Sequence, residues 1–422
     1  MIYGINDTPR TIKEWILYAI QQVLAIFVAT VLIANICGTP VDSCLLGACI
    51  GTLIYQVITG FKSPIFISSC GATSSAVIGA LAITNHENYL PVVIGGAIIL
   101  IIYAIFALVV KCKGIESINK IFPPTIVGAV TIVIGLNLAT YIPTYVQVGG
   151  EYNSYGIAVA LLTTLVIAIT SHYFKGFLRT IPFLIGLIFG YALSVVLTLT
   201  NVAPLIDFSI FKNITSIISI PDFTFMHWST EGVTWTTVGK VAILFVPVAV
   251  CALLEHYSDH KVLGNIIGTD LTVTPGLHRT LLGDGTASFI GTVLCGLPNT
   301  SYGESIATIG FSRVASTYVL TLSSLILGAL AFITPVQAVI SSIPSCVFGG
   351  CAIILYGYIA SSGLRTIINS KIDLTKNKNL IIISAILTVG VSGMWFLSQS
   401  FSGVALAMVC GVILNLVLKN ES

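Results

Sequence analysis

From Leu90 to Val110 the chain reads LPVVIGGAIILIIYAIFALVV, with no charge anywhere in the run. A helix needs about 20 apolar residues to cross the hydrocarbon core of a bilayer. Comparable runs recur at Trp15–Ile36, Ser43–Phe61, Ile121–Ile142, Tyr155–Ser171, Ile181–Leu197 and Val238–Tyr257, then at Leu277–Leu297, Ala315–Thr334, Ile343–Ala360, Leu380–Leu397 and Gly403–Leu418. Charged residues make up 8% of the 422 residues. Soluble domains carry about 25%, so a water-soluble surface cannot be built from this chain. It is an all-α polytopic membrane protein. The first run is too long for a signal-peptide core and lacks a cleavage site. The net charge of +2 is scattered and marks no nucleic-acid surface.

Two further segments, Ser63–Ile83 and Pro298–Phe311, are long enough to span but unusually polar. Counting them gives fourteen crossings and puts both termini on one side. The basic residues agree with that count. With the N-terminus in the cytoplasm, every Lys and Arg falls inside except Lys212 and Lys240, the asymmetry expected of cytoplasmic loops. The longest outside connection, Thr198–Thr237, has room for short helices.

The two polar segments echo each other. SPIFISSCGATSSAVIG (63–79) and LPNTSYGESIATIG (297–310) each place a proline, then small polar residues, then a helix-like tail. FPPTIVGAVTIVIGLNLA (122–139) likewise echoes IPSCVFGGCAIILYGYIA (343–360). In each half the polar segment is the third crossing and the Pro-Gly segment the fifth. Seven crossings per half invert the second half, giving the inverted repeat of secondary transporters. Proline removes a backbone donor, and irregular backbone at membrane depth must be buried in protein or line a cavity. Each polar segment is therefore expected to form a short strand leading into a half-helix, the two strands pairing antiparallel. Kinks that serve only helix packing are the competing reading.

Most carboxylates fall in loops or at the ends of spans. Glu255 and Glu304 do not, and a charge at mid-span costs about 2.5–3.5 kcal/mol on insertion scales, so both are candidate functional groups. Asp259, four residues after Glu255, shares its helix face, or marks with His260 and Lys261 the point where the helix leaves the membrane. His256 points away from Glu255 and reads as packing, and His86, His172, His227 and His278 fall in loops or ends. The cysteines show no ligand spacing and read as small buried hydrophobes. No metal set, nucleophile–base pair or phosphate loop emerges, so neither an enzyme nor a metal cofactor is expected.

ALLEHYSDHKVLGNIIGTDL (252–271), PGLHRTLLGDGTASFIGTVLCGLPNTSYGESIATIGFSRVAST (275–317) and IPSCVFGGCAIILYGYIASSGLR (343–365) resemble the nucleobase–ascorbate transporter family over essentially the whole chain, and within it the bacterial uracil permeases. The resemblance implies a core domain (residues 1–118 and 237–342) moving against a gate domain (119–236 and 343–422). It implies proton-coupled uptake of uracil across the cytoplasmic membrane by alternating access, with a purine such as xanthine or urate, or a broader nucleobase range, as the alternative and an anion exchanger of related fold further off. It implies that Glu255 and Glu304 grip the base, with Gly303 beside Tyr302 supplying one backbone contact and the Cys70–Gly71 strand another. Glu255, Asp259 and Glu304 would handle the coupling proton, the only accessory species expected. The chain departs from the family in having Gly71 where uracil permeases carry an aromatic residue, and Asp259 where the family uses a histidine. A homodimer in the lipid bilayer is the assembly the family suggests.

Overall fold

A computed structural model describes residues 1–114, 122–148, 151–214, 216–392 and 403–418. Helices fall on every apolar run. They are α1 (Ile12–Cys37), α2 (Val41–Thr59), α3 (Ser74–Ala82), α4 (Leu90–Lys113), α5 (Pro124–Ala139), α6 (Ser154–Tyr173) and α7 (Pro182–Leu199), followed by α8 (Trp235–Ile267), α9 (Leu277–Cys295), α10 (Gly303–Ser312), α11 (Thr317–Leu330), α12 (Ser345–Asn369), α13 (Asn377–Val391) and α14 (Gly403–Val417). Short helices at Ile142–Tyr145 and Thr334–Ser341 follow α5 and α11. Among the described residues, eight helices are long and apolar enough to cross a membrane. The chain is a multi-pass membrane protein. The start of the Ile121–Ile142 run, the end of the Leu380–Leu397 run, and Lys120 and Lys419 lie outside the described residues.

Local chemistry sets the helix boundaries. Thr11 caps α1 by accepting from the Glu14 amide, and prolines occupy the first turn of α4, α5 and α7, where a missing N–H costs nothing. Gly38 and Gly60 end α1 and α2 with φ of 67° and 63°, the left-handed conformation that glycine adopts without strain. The connection between α7 and α8 contains 3-10 turns at Phe208–Asn213 and Thr224–His227, in line with the short helices expected there.

One boundary differs from expectation. The run expected to end at Tyr257 continues as helix to Ile267. Asp259 and His260 are therefore helical residues in mid-element, not the point where the helix ends. Hydropathy falls after Tyr257, but the helix continues because its polar residues find partners inside the protein.

Two strands complete the plan. β1 (Ile67–Ser69) pairs antiparallel with β4 (Asn299–Ser301), Ile67 opposite Ser301, Ser68 opposite Thr300 and Ser69 opposite Asn299. A small ribbon, β2 (Gln147–Val148) with β3 (Glu151–Tyr152), follows α5. Around the β1–β4 pair, α9 packs on α2 and α4, α8 on α4, and α11 on α1 and α2, whereas α12 packs on α5 and α6, and α13 on α5 and α14. The contacts are close: a Cβ on Gly96 of α4 would stand 2.0 Å from Thr292 Oγ1 of α9, and one on Gly135 of α5 would stand 2.5 Å from the Ala360 amide nitrogen of α12. Small residues at such crossings let helix backbones approach where no hydrophobic driving force separates protein from lipid.

Candidate substrate-binding site

The sequence of the polar segments dictates their shape. Proline and the β-favouring Ile, Phe, Thr and Tyr residues keep 63–70 and 298–302 extended, and three residues of ladder are too few to hold by themselves. Neighbouring helices supply the rest. The ladder is prolonged by Cys70 N to Pro298 O (2.8 Å) and Tyr302 N to Phe66 O (3.1 Å). From α2, the Thr52 hydroxyl accepts from Ile67 N (3.0 Å) and donates to Ile67 O (2.8 Å). From α1, the hydroxyls of Thr30 and Ser68 share a hydrogen bond of 2.7 Å. Asn299 reaches across from β4, its Nδ2 donating to Gly47 O of α2 (3.0 Å) and Ala287 O of α9 (3.3 Å), while the Ser288 hydroxyl donates to Asn299 O. The strands are thus fixed from three sides by hydrogen bonds that lipid could not provide.

Each strand leads straight into a half-helix, β1 into α3 and β4 into α10. The first amides of a helix have no partner within it and present a positive end. At α10 this end begins with Gly303 and Glu304.

The expected residues converge. Glu255 from α8 and Glu304 from the first turn of α10 line one cavity of about 830 Å³, together with Cys70, Gly71, Tyr302 and Gly303. A Cβ on Gly303 would meet nothing within 4 Å, so the backbone there is open to an approaching group. A Cβ on Gly71 would lie 3.4 Å from Ile359 Cδ1 and 3.7 Å from Ile33 Cδ1. The room left by the missing side chain is therefore bounded by two isoleucines. Asp259 lies apart from this group. It lines an adjoining cavity of about 680 Å³, which shares Glu255, Gly303, Ala307, Ser362 and Arg365 with the first, and its Oδ2 accepts from the Ser301 hydroxyl at 2.7 Å.

The sequence reading missed a buried polar cluster behind the strands. Asp284 of α9 is fully buried. Its Oδ2 lies 2.7 Å from His256 Nδ1 and accepts from the Thr300 hydroxyl of β4 at 3.1 Å. The histidine contact is close but not aligned as a hydrogen bond. His256 and His260, both fully buried, lie with ring centroids 4.0 Å apart and their planes tilted by 40°. His260 Nδ1 donates to the His256 carbonyl (2.7 Å), and its Nε2 meets the Tyr55 hydroxyl (2.7 Å). His256 is packed, as expected, but against an acid. The available signal was Asp284 itself, a carboxylate inside the Leu277–Leu297 run.

A family model described as "Permease family" (Xan_ur_permease) matches residues 13–398. The chain is similar to the uracil permease of Bacillus caldolyticus (36% identical over 425 residues, covering 100% of this chain and 95% of that one). It is similar also to the uracil permeases of Bacillus subtilis strain 168 (35% over 427 residues, 98% and 94%) and Escherichia coli K12 (32% over 425 residues, 99% and 94%). Among solved structures, the transmembrane domain of the cyanobacterial bicarbonate transporter BicA superposes with a TM-score of 0.64 over 97% of this chain and 98% of that one, at 14% identity. SLC26A9 superposes with a TM-score of 0.69 over 96% and 66%, at 13% identity. These structures share the fold. The chain belongs to this permease family, the nucleobase–ascorbate transporters, and is a membrane transporter rather than an enzyme.

Proposed function

We propose that the chain imports uracil together with a proton, by alternating access. In this reading fourteen crossings form two inverted repeats of seven, residues 1–118 and 237–342 make a core domain, 119–236 and 343–422 make a gate domain, and both termini lie in the cytoplasm. The observation that carries the reading is that Glu255 and Glu304, which sit beside the two paired strands contributed by opposite halves of the chain, line one cavity. The packing of α9 on α2 and α4, and of α12 on α5 and α6, supports the division into two bodies. The cavity lies between them, with α8 and α10 on one wall and α12 on the other.

Uracil is flat and neutral, with N–H and C=O groups on its edge. The two carboxylates accept from its N–H groups, and the backbone amides of Gly71, between β1 and α3, and of the first turn of α10 donate to its carbonyls. A site built this way rejects analogues that leave its polar groups unpaired. The relatives named as uracil permeases support this substrate, and Ile33 and Ile359 over Gly71 favour a pyrimidine over a larger purine. A proton held by the acid pair lowers the charge that must cross with the base, and each proton entering across 100 mV supplies about 2.3 kcal/mol. Lys175, Arg179 and Arg365 line the far end of the cavity. The charge asymmetry of the loops assigns them to the cytoplasm, so this is an inward-open arrangement.

Radiolabelled uracil uptake in a permease-deficient strain tests the reading. Uptake should collapse with an uncoupler and yield to unlabelled uracil but not xanthine. Uptake that ignores the uncoupler, or that xanthine blocks as well as uracil does, would refute it.

A further inference from the structure

The cavity changes character along its length. Its buried end holds Glu255 and Glu304, and its other end is lined by the exposed Lys175 and Arg179, beside the N-terminus of α7, and by Arg365 of α12. Two helices measure the separation. The Phe311 ring lies 3.6 Å from where a Cβ on Gly176 would stand, and Phe311 follows Glu304 by seven residues on α10, about 10 Å at 1.5 Å per residue. Ile359, at the level of Gly71, precedes Arg365 by six residues on α12, about 9 Å on the same measure.

A preference for basic residues on the cytoplasmic side explains cations at this end. It does not explain why three of them share one cavity without acidic partners. Lys261, on the adjoining cavity, pairs with Asp270 at 3.1 Å. Among the described residues, Lys175, Arg179 and Arg365 make no ion pair. The same stretch of wall offers further donors. Ser171 Oγ is buried there with no hydrogen-bond partner among the described residues. Phe183 and Leu184 line the cavity in the first turn of α7, ahead of the Ile185 amide that bonds Ile181 O at 3.2 Å, so their own amides have no partner within the helix. Guanidinium, ammonium, hydroxyl and helix-start amides are the groups that hold a phosphate ester.

Resting on the reading of the buried end as a nucleobase site, we propose that the cavity binds a pyrimidine nucleoside monophosphate from the inner face, its base against Glu255 and Glu304 and its phosphate on Lys175, Arg179 and Arg365. The spacing suits a base and a phosphate joined by one ribose. A free base reaches only the acids, and inorganic phosphate reaches only the cations. The nucleotide is a blocker and not cargo, because its charged phosphate would have to leave the cations and cross the low-dielectric core. Phosphoribosyl transfer onto the imported base makes a compound of this class, so the carrier would slow as that product accumulates.

The test uses the full-length protein in phosphatidylcholine nanodiscs carrying bound radiolabelled uracil, challenged with UMP, uridine and inorganic phosphate. UMP should displace uracil at a concentration roughly tenfold below that of uridine or phosphate, the scale of a charge-assisted hydrogen bond. The double substitution Arg179→Gln, Arg365→Gln should bring UMP to the level of uridine while uracil affinity is unchanged, and Arg179→Lys, Arg365→Lys should keep most of the preference. UMP no better than uridine, or a preference that survives the double Gln substitution, would overturn the proposal. So would displacement by phosphate, or by added phosphatidylglycerol, as effective as that by UMP, since it would mean a general anion site. If the wild-type protein binds no uracil, the nucleobase reading fails and this inference with it. If uracil binds and UMP has no advantage, the inference alone fails.

Discussion

Asn299 is the side chain through which the geometry of the site is most open to a quantitative test. It is 1% exposed, and its Nδ2 donates to Gly47 O of α2 and Ala287 O of α9, at 3.0 and 3.3 Å. Its Oδ1 has no partner among the described residues, so the two donors account for its polar contacts. Each such bond contributes about 0.5–1.5 kcal/mol net, so Asn299→Ala should remove roughly 1–3 kcal/mol of anchoring from β4. Tyr302, Gly303 and Glu304 follow directly, and loosening the strand lowers the fraction of molecules in which they stand ready. Apparent affinity falls with that fraction. The full loss corresponds to roughly 5- to 150-fold weaker binding, and partial relaxation should leave an increase in KM of about tenfold. Asn299→Asp should do at least as much harm, because it retains the shape but sets a carboxylate against two carbonyl oxygens. The assay is initial uracil uptake against concentration, normalised to membrane-inserted protein, with melting of the detergent-purified variants alongside. An Ala variant of normal abundance and normal KM would refute the claim that these two bonds position the site.

Two further outcomes concern packing and the buried acid. Gly135→Ala places a Cβ 2.5 Å from Ala360 N and 2.7 Å from Tyr356 O, backbone atoms that cannot rotate aside. It should push α5 off α12 and lower the melting temperature by several degrees, whereas Gly239→Ala, with nothing within 4 Å, should leave it unchanged. Asp284→Ala leaves the buried Thr300 hydroxyl without its acceptor and empties the space beside His256, and a buried polar group left unpaired costs about 1–3 kcal/mol. Folded yield should fall more for this variant than for Asp259→Ala, whose carboxylate faces a cavity; equal yields would contradict the structural role given to Asp284.

How much the sequence disclosed depends on the physical signal each feature leaves. The crossing runs were readable because a bilayer demands an uninterrupted apolar length, and helices fall on each run. The two broken segments were readable because proline followed by small polar residues cannot continue a lipid-facing helix, and each becomes a strand followed by a half-helix at the expected residues. Glu255 and Glu304 were legible as carboxylates in mid-span, whereas Cys70, Gly71, Tyr302 and Gly303 were expected at the same cavity only through the family resemblance. The apolar run stops at Tyr257, short of the end of α8 at Ile267, because Asp259 and His260 lower the hydropathy without ending the helix. Their partners, Ser301 and Tyr55, are far away in sequence. Asp284 was overlooked for a related reason. It stands between Gly283 and Gly285, where Cβ atoms would meet the rings of Tyr55 and Tyr103 at 2.9 and 3.2 Å. The glycines admit those rings around the acid, an arrangement that helical periodicity cannot register.

Uracil binding is expected to depend on Glu255 and Glu304 acting together. Equilibrium binding of radiolabelled uracil to the purified protein, compared for wild type, Glu255→Gln and Glu304→Gln, tests it most directly. Each substitution should weaken binding by tenfold or more, as expected when a charge-assisted hydrogen bond is lost, while the melting temperature stays within a few degrees of wild type. A folded variant of either residue that binds uracil with wild-type affinity would contradict the central claim.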